Sequence, residues 1–253
     1  MLAKSPRWKD GYVEAKHRLN MLKIALEDKK WASIDLTEYN SLEEVNYTYN
    51  TINKIKDKYE GPLYLLIGTD QLNKLDKWYK VEELSKLVTF VCVVRKEYQV
   101  DEEMVKRYHV TIIREAVSNM SSTKCRNMTC LDLPKKVIDY IIDNELYFTK
   151  ILHSYIKEKR YRHSVSVANV CYDIAKSNHL DPNKAYLAGL VHDIGKEIPM
   201  NEQRKFMEIN YPNYVDVVSP QLYHQFVGVE VITKLGIEDE EIKASNRLSN
   251  NIK

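Results

Sequence analysis

The chain has 253 residues, 44% of them hydrophobic, which is enough for one large domain or two smaller domains with apolar cores. Lysine and arginine total 38 and aspartate and glutamate 36, so the net charge of +2 argues against binding of nucleic acid through bulk charge. No apolar run is long enough to span a membrane, no signal peptide is predicted, and four scattered cysteines without a CxxC pair indicate reduced thiols in the cytoplasm.

The first half of the sequence alternates strand-like and helix-like segments. Continuous apolar runs such as PLYLLIG at 62–68 and VTFVCVV at 88–94 are typical of strands buried on both faces of a parallel sheet. The remaining elements that the pattern predicts are a strand over 109–115 and helices over 17–30, 70–87 and 133–147. Strand, helix and strand at this spacing predict an α/β fold with right-handed crossovers.

The second half contains no strand-like runs. Turns rich in Gly, Pro and Asn separate four predicted helices, over 162–180, 181–195, 200–210 and 222–236. The polar segment 244–253 has weak periodicity and is expected to be frayed. The sequence therefore predicts an α/β domain over 1–149 and an all-α domain over 150–253.

Three predicted helices of the second half each carry a histidine on an apolar face: His163, His192 and His224. Asp193 directly follows His192, and the residues that share a helical face with His163 are Val167, Val170, Cys171 and Ile174. Each histidine alone would more often be an ordinary core residue. Three of them together, one followed by an aspartate, favour convergence inside a helical bundle as ligands of a metal ion.

Three segments of the second half, RYRHS, LAGLVHDIGKEIP and LYHQFVGVEVITKLGI, resemble HD-domain phosphohydrolases, specifically the branch that splits diadenosine tetraphosphate symmetrically. The resemblance implies a dinuclear site for iron, manganese or a related divalent metal, with the ligands His163, His192, Asp193 and His224. It also implies catalytic roles for Asp193 and for Lys196, which would stabilise charge on the phosphate oxygens during attack by a metal-activated water.

Four segments of the first half, NYTYNTI, YLLIGTDQLNKLDKWYKVEEL, MSSTKCRNM and LPKKVIDYIIDNELY, resemble nicotinate-nucleotide adenylyltransferases in that family's order. The resemblance implies the nucleotidyltransferase α/β fold, with its Rossmann-like parallel sheet, and adenylyl transfer from Mg-ATP to nicotinate mononucleotide. The nucleotide-binding residues that it implies are Gly68 and Asp70 after a strand, Tyr47, Thr48 and Trp78 near the nicotinate ring, and Ser122, Thr123 and Arg126 on phosphate.

The residues alone leave alternatives open at several of these positions. Trp78 could be a half-buried anchor instead of a surface on which a pyridine ring stacks. Thr48 could simply cap its helix, and SSTKCR could be a plain Ser/Thr helix cap.

Both ends of the sequence depart from the two families. The first strand and the Gly-x-Phe-x-Pro-x-His-x-Gly-His loop of the adenylyltransferases are not found, and the chain stops before the last helices of the HD domain. Asp239, Glu240 and Glu241 are interpreted as a solvated helix start and not as replacement ligands. We therefore expect adenylyl transfer by this chain to be impaired, and we expect the uncovered sheet to make it aggregate or form a homodimer.

The leading interpretation is a bifunctional protein of NAD biosynthesis, in which an adenylyltransferase-type domain precedes a metal-dependent HD phosphohydrolase acting on diadenosine tetraphosphate. Its expected ligands are ATP with magnesium, nicotinate mononucleotide, a dinucleoside polyphosphate, and iron or manganese, without a membrane or nucleic acid as partner. One alternative is an HD phosphohydrolase that acts on other nucleotides. The other is a nucleotide-binding remnant without catalytic activity.

Overall fold

The computed structural model describes residues 13–43, 45–94, 98–114 and 122–247. The chain divides into two compact units, residues 1–119 and residues 120–253. This division precedes the boundary that the sequence predicts between residues 149 and 150, and that boundary stays a prediction. Within the described ranges, no helix combines the length and the apolar composition that crossing a bilayer requires.

A parallel sheet of three strands forms the centre of the first unit. The strands are β1 (Tyr64–Gly68), β2 (Thr89–Val93) and β3 (Thr111–Ile113), in the spatial order β1-β2-β3. Leu66 of β1 pairs with Val91 of β2, which in turn pairs with Thr111 of β3. The predicted α/β fold with a parallel sheet is confirmed.

Five α-helices accompany the sheet: α1 (Ala15–Ala25), α2 (Thr48–Ile55), α3 (Thr69–Leu72), α4 (Val81–Leu84) and α5 (Glu102–Arg107). The prediction of one helix over 70–87 is wrong, because α3, a 3-10 turn at Leu75–Lys77 and α4 share that segment. Lys80 adopts a left-handed backbone conformation with φ 52° and redirects the chain before α4. The redirected chain buries Leu72, Leu75 and Leu84 completely against the sheet core, so burial overrides the helical period here.

The apolar core of the first unit lies on one face of the sheet. Ile67 of β1 and Phe90 of β2 pack there together with Ile52 of α2. The opposite face of β1 carries Tyr64 and Leu66, whose exposed fractions are each 66%. The prediction that β1 is buried on both faces is therefore wrong, because the helices described cover only the Ile67 face.

The second unit is helical, as predicted. Its helices are α6 (Ser122–Arg126), α7 (Lys135–Asp143), α8 (Phe148–Tyr155), α9 (Glu158–Ser177), α10 (Pro182–Val191), α11 (Met200–Asn210), α12 (Tyr223–Lys234) and α13 (Glu240–Arg247). The sequence predicts fraying from residue 244 onward. This is wrong for residues 244–247, which belong to α13, a helix that buries Ile242 and Asn246. The later residues of the polar segment, 248–253, lie outside the described residues.

Candidate functional site

Two glycines let three helical segments of the second unit approach closely. A side chain at Gly189 of α10 would place its Cβ 2.7 Å from the Ala168 Cα of α9. A side chain at Gly195, in the turn after α10, would place its Cβ 2.4 Å from the carbonyl oxygen of His224 on α12. Since real Cβ atoms do not approach backbone atoms so closely, only glycine permits this packing, which brings the histidines of the three segments together.

The four predicted metal ligands, His163, His192, Asp193 and His224, form one group, the His–Asp cluster. One ligand atom each of His163, His192 and Asp193 lies within 4.8 Å of the others, and the two imidazole rings are 5.4 Å apart at their centroids. His192 Nε2 lies 3.6 Å from Asp193 Oδ2, and His224 Nε2 lies 3.9 Å from Asp193 Oδ1. The buried carboxylate of Asp193 is thus the centre of the cluster.

Backbone carbonyl groups orient two of the three imidazole rings. Nδ1 of His192 lies 2.8 Å from the carbonyl oxygen of Gly189, and Nδ1 of His224 lies 2.8 Å from that of Gln221. Each ring therefore carries a proton on Nδ1 and turns its Nε2 toward Asp193. Burial lowers the pKa of His224, so its ring stays neutral near pH 7, as a metal ligand requires.

Cationic side chains surround the Asp193 carboxylate, which is 5% exposed. Arg160 Nη1 donates to Asp193 Oδ2 at 2.5 Å, and Lys196 Nζ lies 3.4 Å from both carboxylate oxygens. Burial alone would raise the pKa of Asp193, but His192, Lys196 and Arg160 outweigh it and hold this pKa below its ordinary value. Asp193 is therefore an anion at neutral pH.

Arg160 belongs to the cluster although the sequence interpretation did not select it. Its Nε lies 3.4 Å from Glu197 Oε1, and Glu197 Oε2 accepts a hydrogen bond of 2.8 Å from the backbone N–H of Lys157 just before α9. Arg160 precedes His163 by three residues on α9, the spacing that places two side chains on one helical face. That spacing is the signal that could have identified it.

Asn246 of α13 holds the backbone that presents His192 and Asp193. It is 2% exposed, and in the side-chain amide orientation that satisfies both of its polar atoms its nitrogen donates to the carbonyl oxygen of His192 at 2.8 Å and to that of Val191 at 3.3 Å. These carbonyl groups belong to the end of α10, where intrahelical donors are missing. The contact therefore fixes the turn that carries the His–Asp pair.

The donor set of the cluster suits a divalent cation. The Nε2 atoms of His192 and His224 face the Asp193 carboxylate, so nitrogen lone pairs and carboxylate oxygens are directed toward one another and could act together as ligands of one cation. Imidazole nitrogen and carboxylate oxygen together are ligands of first-row transition metals. His163, His192, Asp193 and His224 are the residues that would hold the ion.

The apolar face predicted for His224 is buried, whereas the face predicted for His163 is buried only in part, at Val167 and Cys171. The neighbours of His224 on its face, Val227 and Val231, are buried. Val170 and Ile174 are 58% and 57% exposed, because α9 packs against α10 through Ala168, which lies on another face of α9. His163 is itself an exposed residue at the edge of the cluster.

In the sheet unit, the predicted nucleotide contacts Gly68 and Asp70 follow β1 directly. Gly68 ends β1, pairs with Val93 of β2, and precedes α3 in an extended conformation. Asp70 lies in the first turn of α3, and its Oδ2 accepts a hydrogen bond of 2.9 Å from Gln71 Nε2. This position, after the carboxyl end of a parallel strand, is where open α/β sheets bind ligands.

The predicted aromatic contacts of the sheet unit lie in different surroundings. Tyr47 precedes α2, is 43% exposed and stacks against Tyr79 with 4.4 Å between ring centroids. Trp78 is half-buried and packs edge-on against Phe90 in the core, with the centroids 6.5 Å apart. Thr48 is the first residue of α2 and is not its capping residue. Sequence interpretation missed Tyr79, whose only signal was its place beside Trp78.

The predicted phosphate contacts Ser122, Thr123 and Arg126 lie on α6, which belongs to the second unit. The short helix predicted over SSTKCR is present as Ser122–Arg126. Arg126 Nη2 donates to Thr123 Oγ1 at 3.1 Å, and Ser122 and Thr123 are exposed. Their contact with phosphate stays a prediction.

Family comparison assigns the two regions separately. The cytidylyltransferase-like family model matches residues 2–128, and the HD domain model matches residues 160–252. The first range covers the parallel sheet and α6, and the second contains all four residues of the His–Asp cluster.

The curated relatives include proteins named for both activities and proteins named for the adenylyltransferase alone. The "probable nicotinate-nucleotide adenylyltransferase/Ap4A hydrolase" of Mycoplasma pneumoniae is 30% identical over 85% of this chain and 62% of its own length. The protein of the same name from Mycoplasma genitalium is 29% identical over 91% of this chain and 66% of its own length. A probable nicotinate-nucleotide adenylyltransferase of Staphylococcus epidermidis is 36% identical over 54% of this chain and 72% of its own length. The chain thus spans somewhat less than two thirds of the length of the two Mycoplasma relatives.

Among solved structures, the Plasmodium falciparum nicotinic acid mononucleotide adenylyltransferase complexed with NaAD matches with a TM-score of 0.46 and 23% identity. The match covers 57% of this chain and 78% of that chain.

Proposed function

Because the chain belongs to the cytidylyltransferase-like family and carries an HD domain in its second half, we propose that it is a bifunctional protein of NAD metabolism. One activity is metal-dependent hydrolysis of diadenosine tetraphosphate into two molecules of ADP. The other is adenylyl transfer from Mg-ATP to nicotinate mononucleotide, and both take place in the cytoplasm. The names of the two Mycoplasma relatives, which combine these activities, support the pairing.

The convergence of three histidines on the buried Asp193 carboxylate is the observation that carries the hydrolase proposal. A divalent metal, for which we propose iron or manganese, supplies Lewis acidity toward phosphoryl oxygens and lowers the pKa of water when it is bound. His163, His192, Asp193 and His224 hold it. Imidazole and carboxylate donors suit either metal.

Lys196 and Arg160 are the residues of this site that recognise the polyphosphate. The Lys196 side chain is 43% exposed and lies beside Asp193, so its ammonium group can reach a phosphate oxygen without leaving the site. Arg160 contacts Asp193 through Nη1, and a bound metal would take over neutralisation of that carboxylate. The guanidinium group would then be available to phosphate oxygens, which it binds in a planar, bidentate geometry.

The hydrolase proposal is tested with diadenosine tetraphosphate and the full chain, loaded anaerobically with iron or with manganese. We expect ADP as the only product, and we expect Asp193→Asn to lose bound metal and at least about 100-fold in rate, since a charged ligand is removed. Asp173→Asn, at an exposed position on the same helix as His163, is the matched control and should keep both the bound metal and the rate of hydrolysis.

The outcomes separate the alternatives. Production of ATP and AMP instead of ADP contradicts symmetrical cleavage. Hydrolysis of other nucleotides but not of diadenosine tetraphosphate favours the broader phosphohydrolase, and metal binding without hydrolysis of any nucleotide favours a remnant without catalytic activity.

The adenylyltransferase proposal is supported by the position of Gly68 and Asp70 after β1 and by the staphylococcal relative. In this proposal Tyr47, Thr48 and Trp78 contact the nicotinate ring, and Ser122, Thr123 and Arg126 contact phosphate. Pyrophosphate released from Mg-ATP in the presence of nicotinate mononucleotide measures the reaction. Release that does not depend on nicotinate mononucleotide would contradict the assignment of this substrate.

We also propose that the chain forms a homodimer. The exposed apolar side chains Tyr64 and Leu66, neighbours on one face of β1, support this proposal. Light scattering should give the mass of a dimer for the full chain and a smaller mass for Leu66→Asp. A monodisperse monomer at high concentration would contradict the proposal.

A further inference from the structure

A second group of metal-ligating side chains lies outside the His–Asp cluster. Glu145 follows α7, His153 lies on α8, and Glu158 is the first residue of α9. One ligand atom from each of these three residues, the Glu–His–Glu group, lies within 4.8 Å of the others. The group shares no residue with the His–Asp cluster, and neither family resemblance accounts for it.

His153 provides an independent observation. Its Nε2 atom is completely buried and has no hydrogen-bond partner among the described residues. The ring lies against Tyr161, with centroids 4.2 Å apart and an interplanar angle of 35°, which restricts its rotation. A buried polar atom without a partner costs about 1–3 kcal/mol, and a bound ion or water molecule is the usual explanation for one in a native protein.

Negative charge gathers around the same ring pair. The pKa of Tyr161 is raised to about 12, first by burial and then by the nearby carboxylates of Glu145, Glu158 and Asp143. Arg162 pairs with Glu158 through Oε1 at 2.5 Å and so compensates one of these charges at the outer side of the group. Two carboxylates of the Glu–His–Glu group therefore lie near the ring pair, and one of them shares its charge with Arg162.

We propose that Glu145, His153 and Glu158 bind a divalent transition-metal ion of the zinc type. Imidazole with two carboxylates is a donor set that zinc accepts, with water as a fourth ligand. Ligand atoms of a tetrahedral zinc ion lie about 3.4 Å apart at the usual bond lengths. Both glutamates are exposed, so their side chains are free to change rotamer when an ion binds.

A metal ion at this place would connect three consecutive elements of the helical unit. Glu145 and His153 belong to the α7–α8 segment, whereas Glu158 begins α9 and precedes Arg160 and His163 of the His–Asp cluster. The ion would have a structural role, because it would bind the native arrangement and not the unfolded chain. The stabilisation by the bound ion would be greatest at the start of α9.

The test is titration of the metal-free full chain with Co²⁺, whose visible absorption reports tetrahedral coordination, followed by competition with Zn²⁺. We expect His153→Asn to bind one Co²⁺ fewer per chain than the unmodified protein, or to bind it at least about tenfold more weakly. His179→Asn, at an exposed position in the turn after α9, is the matched control and should bind as the unmodified protein does. Glu145→Gln changes an exposed side chain only and repeats the test where His153→Asn impairs folding.

The result also separates this site from the His–Asp cluster. Asp193→Asn should lose the metal of the His–Asp cluster. It should still bind the Co²⁺ ion that His153→Asn fails to bind. Equal Co²⁺ binding by the unmodified protein, His153→Asn and Glu145→Gln would overturn the second site, whatever the hydrolase assay gives.

Discussion

The His–Asp cluster of the helical unit and the predicted nucleotide contacts of the sheet unit differ in how firmly the fold holds them. In the cluster, Nε2 atoms from α12 and from the end of α10 face one carboxylate, and backbone carbonyl groups fix both rings. In the sheet unit, Tyr47 stacks on Tyr79 while Trp78 packs against core residue Phe90. The first group converges on one carboxylate through contacts of the fold itself, whereas the second consists of residues in separate surroundings.

The difference follows from the elements that carry the residues. Helix α9 has 20 residues and α12 has 12, and glycines let the segments of α9, α10 and α12 pack backbone to backbone. The predicted contacts of the sheet unit lie in turns, at the ends of β1 and α2, or on α3, which has four residues. Long packed helices hold side chains to fixed positions, whereas turns leave more of the positioning to a ligand.

Substitution of Gly195 by alanine should break the cluster most severely. Its new Cβ would lie 2.4 Å from the His224 carbonyl oxygen and 2.8 Å from the Gly228 nitrogen, and α12 would have to move away. Overpacking of this kind typically costs about 1–3 kcal/mol, so denaturant unfolding should show a loss of that size. Metal affinity, measured by titration, should also fall, since His224 moves with α12.

Lys205→Ala, at an exposed position of α11, is the control for Gly195→Ala and should change neither the stability nor the metal affinity. Full stability together with full metal affinity in Gly195→Ala would show that close helix packing does not arrange the cluster.

Replacement of Asn246 by leucine should loosen the cluster without a clash. Leucine has a similar size but cannot donate to the carbonyl groups of His192 and Val191. Buried acceptors that lose their donor cost about 1–3 kcal/mol, and loss of an outer-shell contact typically weakens metal binding 10–100-fold. Asn201→Leu on the exposed surface of α11 is the control. An Asn246→Leu protein that loses stability but keeps its metal affinity would limit Asn246 to a role in folding.

Much of this fold could be predicted from local sequence patterns. The β-rich apolar runs gave the parallel strands, and the helical spacing of apolar residues gave α7 and α9 to α12 of the second unit but not α8. The errors arose where tertiary burial decided the outcome. Lys80 interrupts the predicted helix at 70–87 so that Leu84 can reach the core, and Asn246 is buried at the site predicted to fray.

The His–Asp cluster could be predicted only in part. Three histidines on separate helices and the HD pair were visible as a pattern, because metal ligands must be of particular residue types. For Arg160 the one signal was its spacing of three residues from His163, and for Asn246 there was none, because arginine and asparagine are common on helix surfaces and their partners here are distant in sequence. Such contacts depend on three-dimensional packing, which a single sequence does not show.

Trp78 tests the sheet unit. If its ring stacks on the pyridine of nicotinate mononucleotide, the ligand should quench tryptophan fluorescence, and Trp78→Phe should remove that quenching. Aromatic stacking contributes about 0.5–1.5 kcal/mol, so Trp78→Ala, which removes the ring altogether, should lower the affinity by roughly 2- to 12-fold. Trp31→Phe is the control, since Trp31 is 84% exposed and lies apart from the predicted contacts. Quenching that persists in Trp78→Phe would favour a role for Trp78 as a core anchor.

The smallest expected effect is at Asp239, where α13 begins away from the cluster. Its Oδ1 accepts hydrogen bonds from the backbone N–H groups of Glu241 at 2.9 Å and Ile242 at 3.2 Å, and Lys184 Nζ lies 2.7 Å from Oδ2. Burial would raise the pKa of Asp239, but Lys184 and these N–H groups lower it below 3.8. Asp239→Asn keeps an equally good helix cap and loses only the charge.

Because the folded-state pKa of Asp239 is lowered, its charge stabilises the protein above the unfolded-state pKa near 3.8. The stabilisation is lost as the pH falls through the lower folded-state value. The pair is partly exposed, so Asp239→Asn should cost only about 0.2–1 kcal/mol at neutral pH, and the difference from the unmodified protein should vanish in acid. Urea unfolding of both proteins across this pH range measures it. Asp239→Ala also removes the helix cap and should cost about 1 kcal/mol more at every pH. If the difference in stability between Asp239→Asn and the unmodified protein were the same at every pH, the charge of Asp239 would not be its cause.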